Sequence, residues 1–166
     1  YKKQLEKAVE VGSMKGSDLV GMSYEPMFPY FKHLKEKGCF KVLSGEFVST
    51  EDGTGVVHIA PGFGQDDFDV CRALDSEFPV VCRVDEAGCF TAEVPDYKGQ
   101  PVFDTNDAIM TWLKENRLLV KKEQITHSYP YCWRTDTPLI YKAMSSWFVR
   151  VTDFRDEMVK NNQEIN

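Results

Sequence analysis

The sequence predicts an α+β fold in which a β-rich mixed sheet or small barrel is flanked by a few helices. Apolar, β-branched stretches of strand length outnumber stretches with helical spacing. The two kinds do not alternate regularly, which argues against a parallel sheet wound with helices. With 42% hydrophobic residues among 166, the chain has enough apolar material for a core.

Four segments have the spacing of helices. Residues 2–11 form the first, and residues 65–74 form the second, with apolar side chains three positions apart and aspartates in the first turn. Asp104 is predicted to cap a third helix that presents Trp112 on one face, and a fourth begins within residues 152–160.

Strand composition recurs between these helices, and an aromatic and proline cluster at residues 24–31 is predicted to be packed irregular chain because proline removes amide donors. The apolar run that is stopped by Pro61 is the clearest strand, and a turn over residues 51–55 precedes it. The predicted strands are residues 18–24, 40–48, 56–60, 79–84, 118–126 and 139–151.

Composition and charge exclude several classes of function. The longest apolar runs are far shorter than the roughly 20 residues that a membrane helix needs, so no membrane partner is predicted. The formal net charge is −6, which lacks the basic field typical of bulk nucleic-acid binding. The acidity is concentrated in residues 51–110, which carry 13 acidic and 3 basic side chains.

The cysteines bear on the cellular compartment of the chain, and the first residue bears on whether it is part of a longer protein. An odd number of cysteines without a Cys-x-x-Cys pair indicates neither a disulfide framework nor a zinc knuckle, and it favours a reducing, cytoplasmic compartment. The chain begins at Tyr1 without the features of a signal peptide, so we expect a part of a longer protein. The cysteines are Cys39, Cys71, Cys82, Cys89 and Cys132.

The densest group of chemically capable residues spans positions 53–68. A predicted strand delivers His58 to a loop that contains Gly62 and Gly64, and this loop opens a helix with two carboxylates in its first turn, one of them Asp67. Glycines permit close approach of a ligand, and the first helical amides are free donors. Because no Lys or Arg lies between residues 50 and 72, a cation is a better guest than a phosphate.

Local pattern alone favours a simpler interpretation, in which the glycines form a tight turn and the carboxylates compensate the helix dipole. The cation could be a substrate ammonium or a metal. Asp66, Asp69 and Cys71 lie near His58, but their spacing matches no common metal site, so ammonium is favoured and no metal is predicted. No Ser or Cys occupies a strand-to-helix elbow near His58, which leaves water as the nucleophile.

Two further groups lie in the last third of the chain. Residues 126–139 place aromatic rings beside His127 and Arg134, an arrangement that suits stacking on a base or sugar but is also typical of rigid turns around proline. The turn is the favoured interpretation. Residues 145–150 read as a strand that ends against a larger body.

In their order along the chain, residues 53–67, 127–134 and 146–149 closely resemble the connective-polypeptide insertion of the isoleucyl-tRNA synthetases. His58 together with the Phe63-Gly64 pair resembles the isoleucyl members and not the valyl or leucyl ones. Thr135 and residues 137–143 resemble the eukaryotic cytosolic branch of the family.

The resemblance implies an editing domain that hydrolyses valine wrongly esterified to the isoleucine tRNA, with valyl-adenylate as a second candidate substrate. A second selection step by size, here called the sieve, is needed because a pocket sized for isoleucine rejects valine by only about 1–3 kcal/mol. The resemblance assigns the substrate ammonium to Asp67, as the catalytic residue, and the limit on side-chain size to His58. The implied substrate-binding residues are His58, Gly62, Phe63 and Gly64. A positioned water would attack the ester without a covalent enzyme intermediate.

The resemblance also implies boundaries and partners. Residues 1–126 would be the editing domain without its N-terminal threonine-rich segment, and residues 127–166 would return toward the synthetase body. The partners would be the 3′ end of the mischarged isoleucine tRNA, its valine moiety and the rest of the synthetase. Some relatives have a second cysteine three positions after Cys132, where this chain has Thr135, so no zinc is predicted.

No cofactor is predicted within the chain itself. Neither the His-x-Gly-His type motif nor Lys-Met-Ser-Lys-Ser occurs, so ATP and Mg are assigned to the parent synthetase. A non-catalytic insertion that docks tRNA or serves only the structure is the alternative function. An unrelated metal hydrolase that uses His58 and the central aspartates is the third.

Overall fold

The computed structural model describes residues 9–49, 54–122, 124 and 126–165. Three α-helices lie in this part of the chain: α1 (Gln65–Leu74), α2 (Asn106–Glu115) and α3 (Arg155–Gln163). Four short 3₁₀ helices accompany them, at Gly16–Leu19, Lys32–Lys37, Pro95–Tyr97 and Val151–Asp153. No helix of the described residues is long and apolar enough to span a bilayer.

The predicted β-rich sheet or small barrel is wrong. Strand pairing in the described residues consists of four isolated antiparallel bridges: Ser23 with Lys41, Val84 with Phe90, Cys89 with Pro101, and Tyr131 with Pro138. The apolar run at residues 56–60 illustrates the reason, because the side chains of Val56 and Val57 are exposed. Strand composition describes a residue that fits a half-buried pleated surface, and a sheet forms only where a partner strand supplies that surface.

Helix prediction was more successful, because helical hydrogen bonds form within one segment. α1 coincides with the predicted residues 65–74. The N-cap of the third helix is Thr105 and not the predicted Asp104, so the helix begins one residue later than predicted. The Thr105 hydroxyl donates to Val102 O at 2.8 Å. The fourth predicted helix starts as a 3₁₀ turn and continues as α3. Residues 2–8 of the first predicted helix lie outside the described part, and residues 9–11 are not helical.

The buried side chains form two small groups. Leu34, Cys71 and Phe78 lie around α1, whereas Val84, Val94, Tyr97 and Thr105 lie in the segment that precedes α2. The chain exposes 14385 Å² of surface, well above the roughly 8,400 Å² expected of a compact monomer of 19.0 kDa. Much apolar surface is therefore open, including the fully exposed side chain of Trp147.

Aromatic contacts connect the early part of the chain to these groups. The ring of Phe28 stacks on Trp112 of α2, with 4.5 Å between centroids, and on Tyr30 at 5.6 Å. The hydroxyl of Tyr30 donates a hydrogen bond to the carboxylate of Asp96. The predicted aromatic cluster at residues 24–31 is thus packed and irregular, and it fixes the chain between α2 and the 3₁₀ helix Pro95–Tyr97.

At Gly62 the loop before α1 lies against the backbone of the segment that contains Val81. A Cβ atom added there would run into the carbonyl oxygen of Val81 and lie 3.1 Å from its carbonyl carbon. On its other side, Gly62 O accepts a hydrogen bond of 2.8 Å from Ala143 N. Gly62 therefore joins residues 58–64, the segment at Val81 and the segment at residue 143.

We expect Gly62→Ala to destabilise the chain by about 1–3 kcal/mol, because the obstructing atoms belong to backbone and cannot rotate away. Urea unfolding measures the change. Gly12→Ala is the matched control, since no described atom lies within 4 Å of an added Cβ at that position, and it should change stability by less than about 0.5 kcal/mol. Equal effects of the two substitutions would contradict the role of Gly62.

Candidate functional site

The candidate site is centred on the loop that leads into α1. Gly64 is the N-cap residue in an extended conformation, and Asp66 and Asp67 fill the first turn. Phe63 N donates to Ala60 O at 2.8 Å, which closes the turn before the helix. The helix thus starts where the glycines and carboxylates of the sequence predicted it.

Asp67 is folded back onto this loop. Its Oδ2 accepts a hydrogen bond of 3.1 Å from Ala60 N, and the pair is partly buried. A Cβ added at Gly64 would lie 2.7 Å from the same oxygen, so the absence of a side chain at Gly64 gives the carboxylate its room. The sequence predicted a binding role for Asp67, and the observed contact adds a structural one that could not be read from spacing.

Beside the loop lies a cavity of about 280 Å³ with mainly apolar walls. His58 and Phe63 contribute to its lining, together with Ala60, whose amide holds Asp67. Gly62, Gly64 and Asp67 do not line it. The structure therefore divides the five predicted residues into two that line the cavity and three that build or brace the loop behind it.

Other lining residues were not predicted from the sequence. Tyr24 and Phe40 come from the two segments joined by the bridge at Ser23, and their rings meet edge to face with centroids 6.0 Å apart. Cys39 and Cys71 add two thiols. Among these four lining residues, only Cys71 had a signal in the sequence, namely the apolar spacing along α1. Tyr24, Cys39 and Phe40 had none, because they are far from α1 in sequence.

The thiols beside the cavity have perturbed acidity. Burial raises the pKa of Cys71, and the neighbouring Cys39 and Asp67 add to the increase. Burial likewise raises the pKa of Cys39. No group of three or more His, Cys, Asp or Glu side chains in the described residues is arranged to hold a metal ion.

A second cavity, of about 860 Å³, lies between two parts of the chain that the resemblance assigned to different units. Asp85, Glu86 and Phe103 line it from one side, and Ile140 and Lys142 from the other. Together with the hydrogen bond from Ala143 to Gly62, this cavity places residues 137–144 against the predicted editing unit.

Comparison with known proteins identifies the relatives of the chain. It is 54% identical over 153 residues to an isoleucine–tRNA ligase of Rickettsia bellii, a match that covers 92% of this chain and 13% of that protein. The chain matches a segment of isoleucine–tRNA ligases. The ligases of a Wolbachia species of Brugia malayi and of Rickettsia prowazekii are each 53% identical over the same length. No protein-family model matches the chain.

These comparisons refine the resemblance in two respects. The chain spans about one seventh of the length of the curated relatives it matches. The relatives are bacterial, which contradicts the predicted eukaryotic cytosolic branch. That prediction rested only on Thr135 and residues 137–143, a short stretch of the chain.

We expect Asp67→Ala to lower stability by about 1–3 kcal/mol, because Ala60 N loses a charged acceptor in a partly buried position. Asp67→Asn keeps an oxygen at that position and should cost clearly less, with only the favourable charge at the helix N-terminus removed. Urea unfolding of the two variants gives the comparison. Equal losses would show that the charge, and not the hydrogen bond, braces the loop.

Proposed function

We propose that this chain is part of an isoleucine–tRNA ligase and belongs to the module that hydrolyses valine misattached to the isoleucine tRNA, with valyl-adenylate as a second substrate. One observation carries the proposal: a small, mainly apolar cavity is lined by His58, Phe63 and Ala60, and the amide of Ala60 holds the Asp67 carboxylate. The identity with ligases over 92% of the chain supports the parent. Aminoacylation with ATP and Mg would be carried out by other parts of that parent.

The cavity is small for a ligand site and mainly apolar, which suits an aliphatic side chain. Pockets for drug-sized ligands measure roughly 300–1,000 Å³, so about 280 Å³ is at the lower limit. A second sieve must accept valine and exclude isoleucine, which differs by one methylene group. Exclusion by size does this well, whereas the first pocket gains only about 1–3 kcal/mol from the extra methylene. His58 on the wall limits the volume in this scheme.

The carboxylate of Asp67 supplies the partner for the substrate ammonium. Oδ2 is engaged with Ala60 N, but a carboxylate has about four acceptor positions on its two oxygens, so one hydrogen bond leaves capacity for an ammonium. The fixed orientation of the side chain then positions the ester carbonyl. Water adds to this carbonyl, the tetrahedral intermediate collapses, and the ribose hydroxyl leaves with a proton. Proximity and hydrogen bonding supply the catalysis.

In this proposal the partners are the 3′ end of the mischarged tRNA, its valine moiety and the rest of the ligase, in the cytoplasm. The exposed apolar side chains, Trp147 and Phe148 among them, are available for contact with other parts of a larger protein.

A non-catalytic insertion is the second candidate, and the hydrogen bond between Asp67 and Ala60 favours it. If that contact is the whole purpose of the carboxylate, the loop needs an acceptor but no charge. The two candidates therefore predict different results for a variant that retains the acceptor and removes the charge.

In the full-length ligase, we expect Asp67→Asn to slow deacylation of valyl-tRNA about 10- to 100-fold while leaving isoleucylation largely intact, because a neutral amide accepts a hydrogen bond from an ammonium but forms no ion pair with it. Deacylation and aminoacylation assays measure the two rates. Asp66→Asn, an exposed residue of the same helical turn, is the control and should retain both activities. Normal deacylation by Asp67→Asn would favour the non-catalytic insertion.

Truncation of the His58 side chain tests whether this residue limits the size of the side chain that the cavity accepts. We expect His58→Ala in the full-length ligase to hydrolyse isoleucyl-tRNA about tenfold or more faster, because the enlarged cavity admits the extra methylene. Hydrolysis of purified isoleucyl-tRNA is the measurement. His33→Ala is the matched control, since His33 on the 3₁₀ helix Lys32–Lys37 is exposed, as His58 is, but does not line the cavity. Continued rejection of isoleucyl-tRNA by His58→Ala would remove His58 from the sieve.

A further inference from the structure

Two thiols that the proposed function does not use line the same small cavity. Cys39 follows the 3₁₀ helix Lys32–Lys37, and Cys71 lies on α1. Both are free cysteines, and both contribute to the walls of the cavity of about 280 Å³. A buried free cysteine is often no more than a small apolar residue of the core. Two cysteines from separate elements in one cavity have a reaction open to them that neither has alone.

Packing brings the segments of the two thiols together. Gly38 ends the 3₁₀ helix with a φ of 88°, and a Cβ added to it would lie 3.6 Å from the ring of Phe78. Phe78 follows α1 closely and is buried, as are Cys71 and Leu34. Cys39 N donates to Leu34 O at 3.3 Å, which ties the residue after Gly38 to the same group. The two cysteines therefore belong to one packed cluster.

We propose that Cys39 and Cys71 form an oxidation site, at which hydrogen peroxide joins the two thiols in a reversible disulfide. One sulfur attacks a peroxide oxygen, the O–O bond breaks, and a sulfenic acid and one water form. The second thiol attacks the sulfenic sulfur, the S–S bond forms, and a second water leaves with the remaining protons. The thiols lose two electrons and the peroxide gains them. Disulfides of this transient kind are the ones found in reducing compartments, and a thiol reductant restores both thiols.

The two cysteines differ in accessibility, which assigns the first step to Cys39. Cys39 is half-buried, whereas Cys71 is 2% exposed. Burial raises the pKa of Cys39, and the ammonium of Lys37 offsets part of that rise. Burial raises the pKa of Cys71 as well, and the charge of Cys39 adds to it, so the two sulfurs lie within electrostatic range. The other titratable side chains that line the cavity are Tyr24, Lys41 and His58.

The remaining cysteines provide internal comparisons. Cys82, Cys89 and Cys132 do not line the cavity. Hydrogen bonds from Thr135 and from nearby backbone lower the pKa of Cys132, so this thiol ionises more readily than the cavity pair. Because the thiolate is the form that reacts with peroxide, oxidation of Cys132 shows that a given exposure is sufficient.

A disulfide between these walls would close the cavity. In the proposed function, the oxidised ligase would then lose deacylation of valyl-tRNA and regain it on reduction, while isoleucylation continues. This consequence rests on the proposed function, whereas the disulfide itself does not.

Peptide mapping of the full-length ligase tests for the bond. The reduced ligase is exposed to hydrogen peroxide, free thiols are alkylated, and trypsin digestion is followed by mass spectrometry. Trypsin cuts after Lys37, Lys41 and Arg72, so the two cysteines fall on separate peptides, residues 38–41 and 42–72. We expect these peptides to appear linked, lighter by two hydrogens than their sum, and to separate after reduction.

Substitutions assign the two steps. Cys71→Ala should lose the link and leave the sulfenic acid on Cys39, where dimedone traps it. Cys39→Ser should lose the link without a dimedone adduct on Cys71. Cys89→Ser, which removes another half-buried cysteine outside the cavity, is the matched control and should retain the link. Circular dichroism of the reduced variants checks the helices, and Cys39→Ser carries the test if Cys71→Ala loosens the buried cluster.

Absence of the linked peptide at exposures that oxidise Cys132 overturns the proposal, and so does a link from Cys39 or Cys71 to another cysteine in its place. Deacylation by the oxidised and reduced ligase is a separate measurement. A linked ligase that loses deacylation and recovers it with reductant supports both the disulfide and the editing cavity. A linked ligase with unchanged deacylation retains the disulfide and contradicts the proposed function, so the two failures are distinguishable.

Discussion

Three stretches of backbone converge on Gly62, and the rest of the site depends on their close approach. The carbonyl of Val81 occupies the space where a side chain would otherwise lie, and the amide of Ala143 bonds to the glycine's own carbonyl. This contact fixes the end of the loop that turns into α1. The orientation of Asp67, and with it the wall of the cavity at Ala60, follows from where that loop is held.

Asp67 illustrates how one side chain can brace a loop and, in the proposed function, also meet a cation. A carboxylate in the first turn of a helix is stabilised by the helix dipole, which alone would justify an aspartate there. Its hydrogen bond to Ala60 N turns the side chain toward the loop and away from open solvent. A charge that is already oriented needs little rearrangement to meet a cation, which is the condition for catalysis by positioning.

Prediction from the sequence succeeded where the determining interactions are local. The extent of α1 followed from apolar spacing and from the glycine and aspartates at its start. The strands failed because pairing depends on residues far apart in sequence, such as Ser23 and Lys41, which meet at a single bridge. The same limit applies to the site: Tyr24 and Phe40 reach the cavity through long-range packing, so no local pattern marks them. His58 and Phe63, which line the cavity, could be singled out because a compact motif carries them, and their binding role stays a prediction.

The two thiols of the cavity have a chemical consequence for any ester held nearby. A thiolate is a strong nucleophile, and one beside an acyl carbonyl would compete with water and trap the acyl group as a thioester. Burial raises the pKa of both Cys39 and Cys71, so each stays protonated at neutral pH. Neither thiol is therefore a ready nucleophile, and in the proposed function an acyl group held in the cavity would react with water and not with these two cysteines.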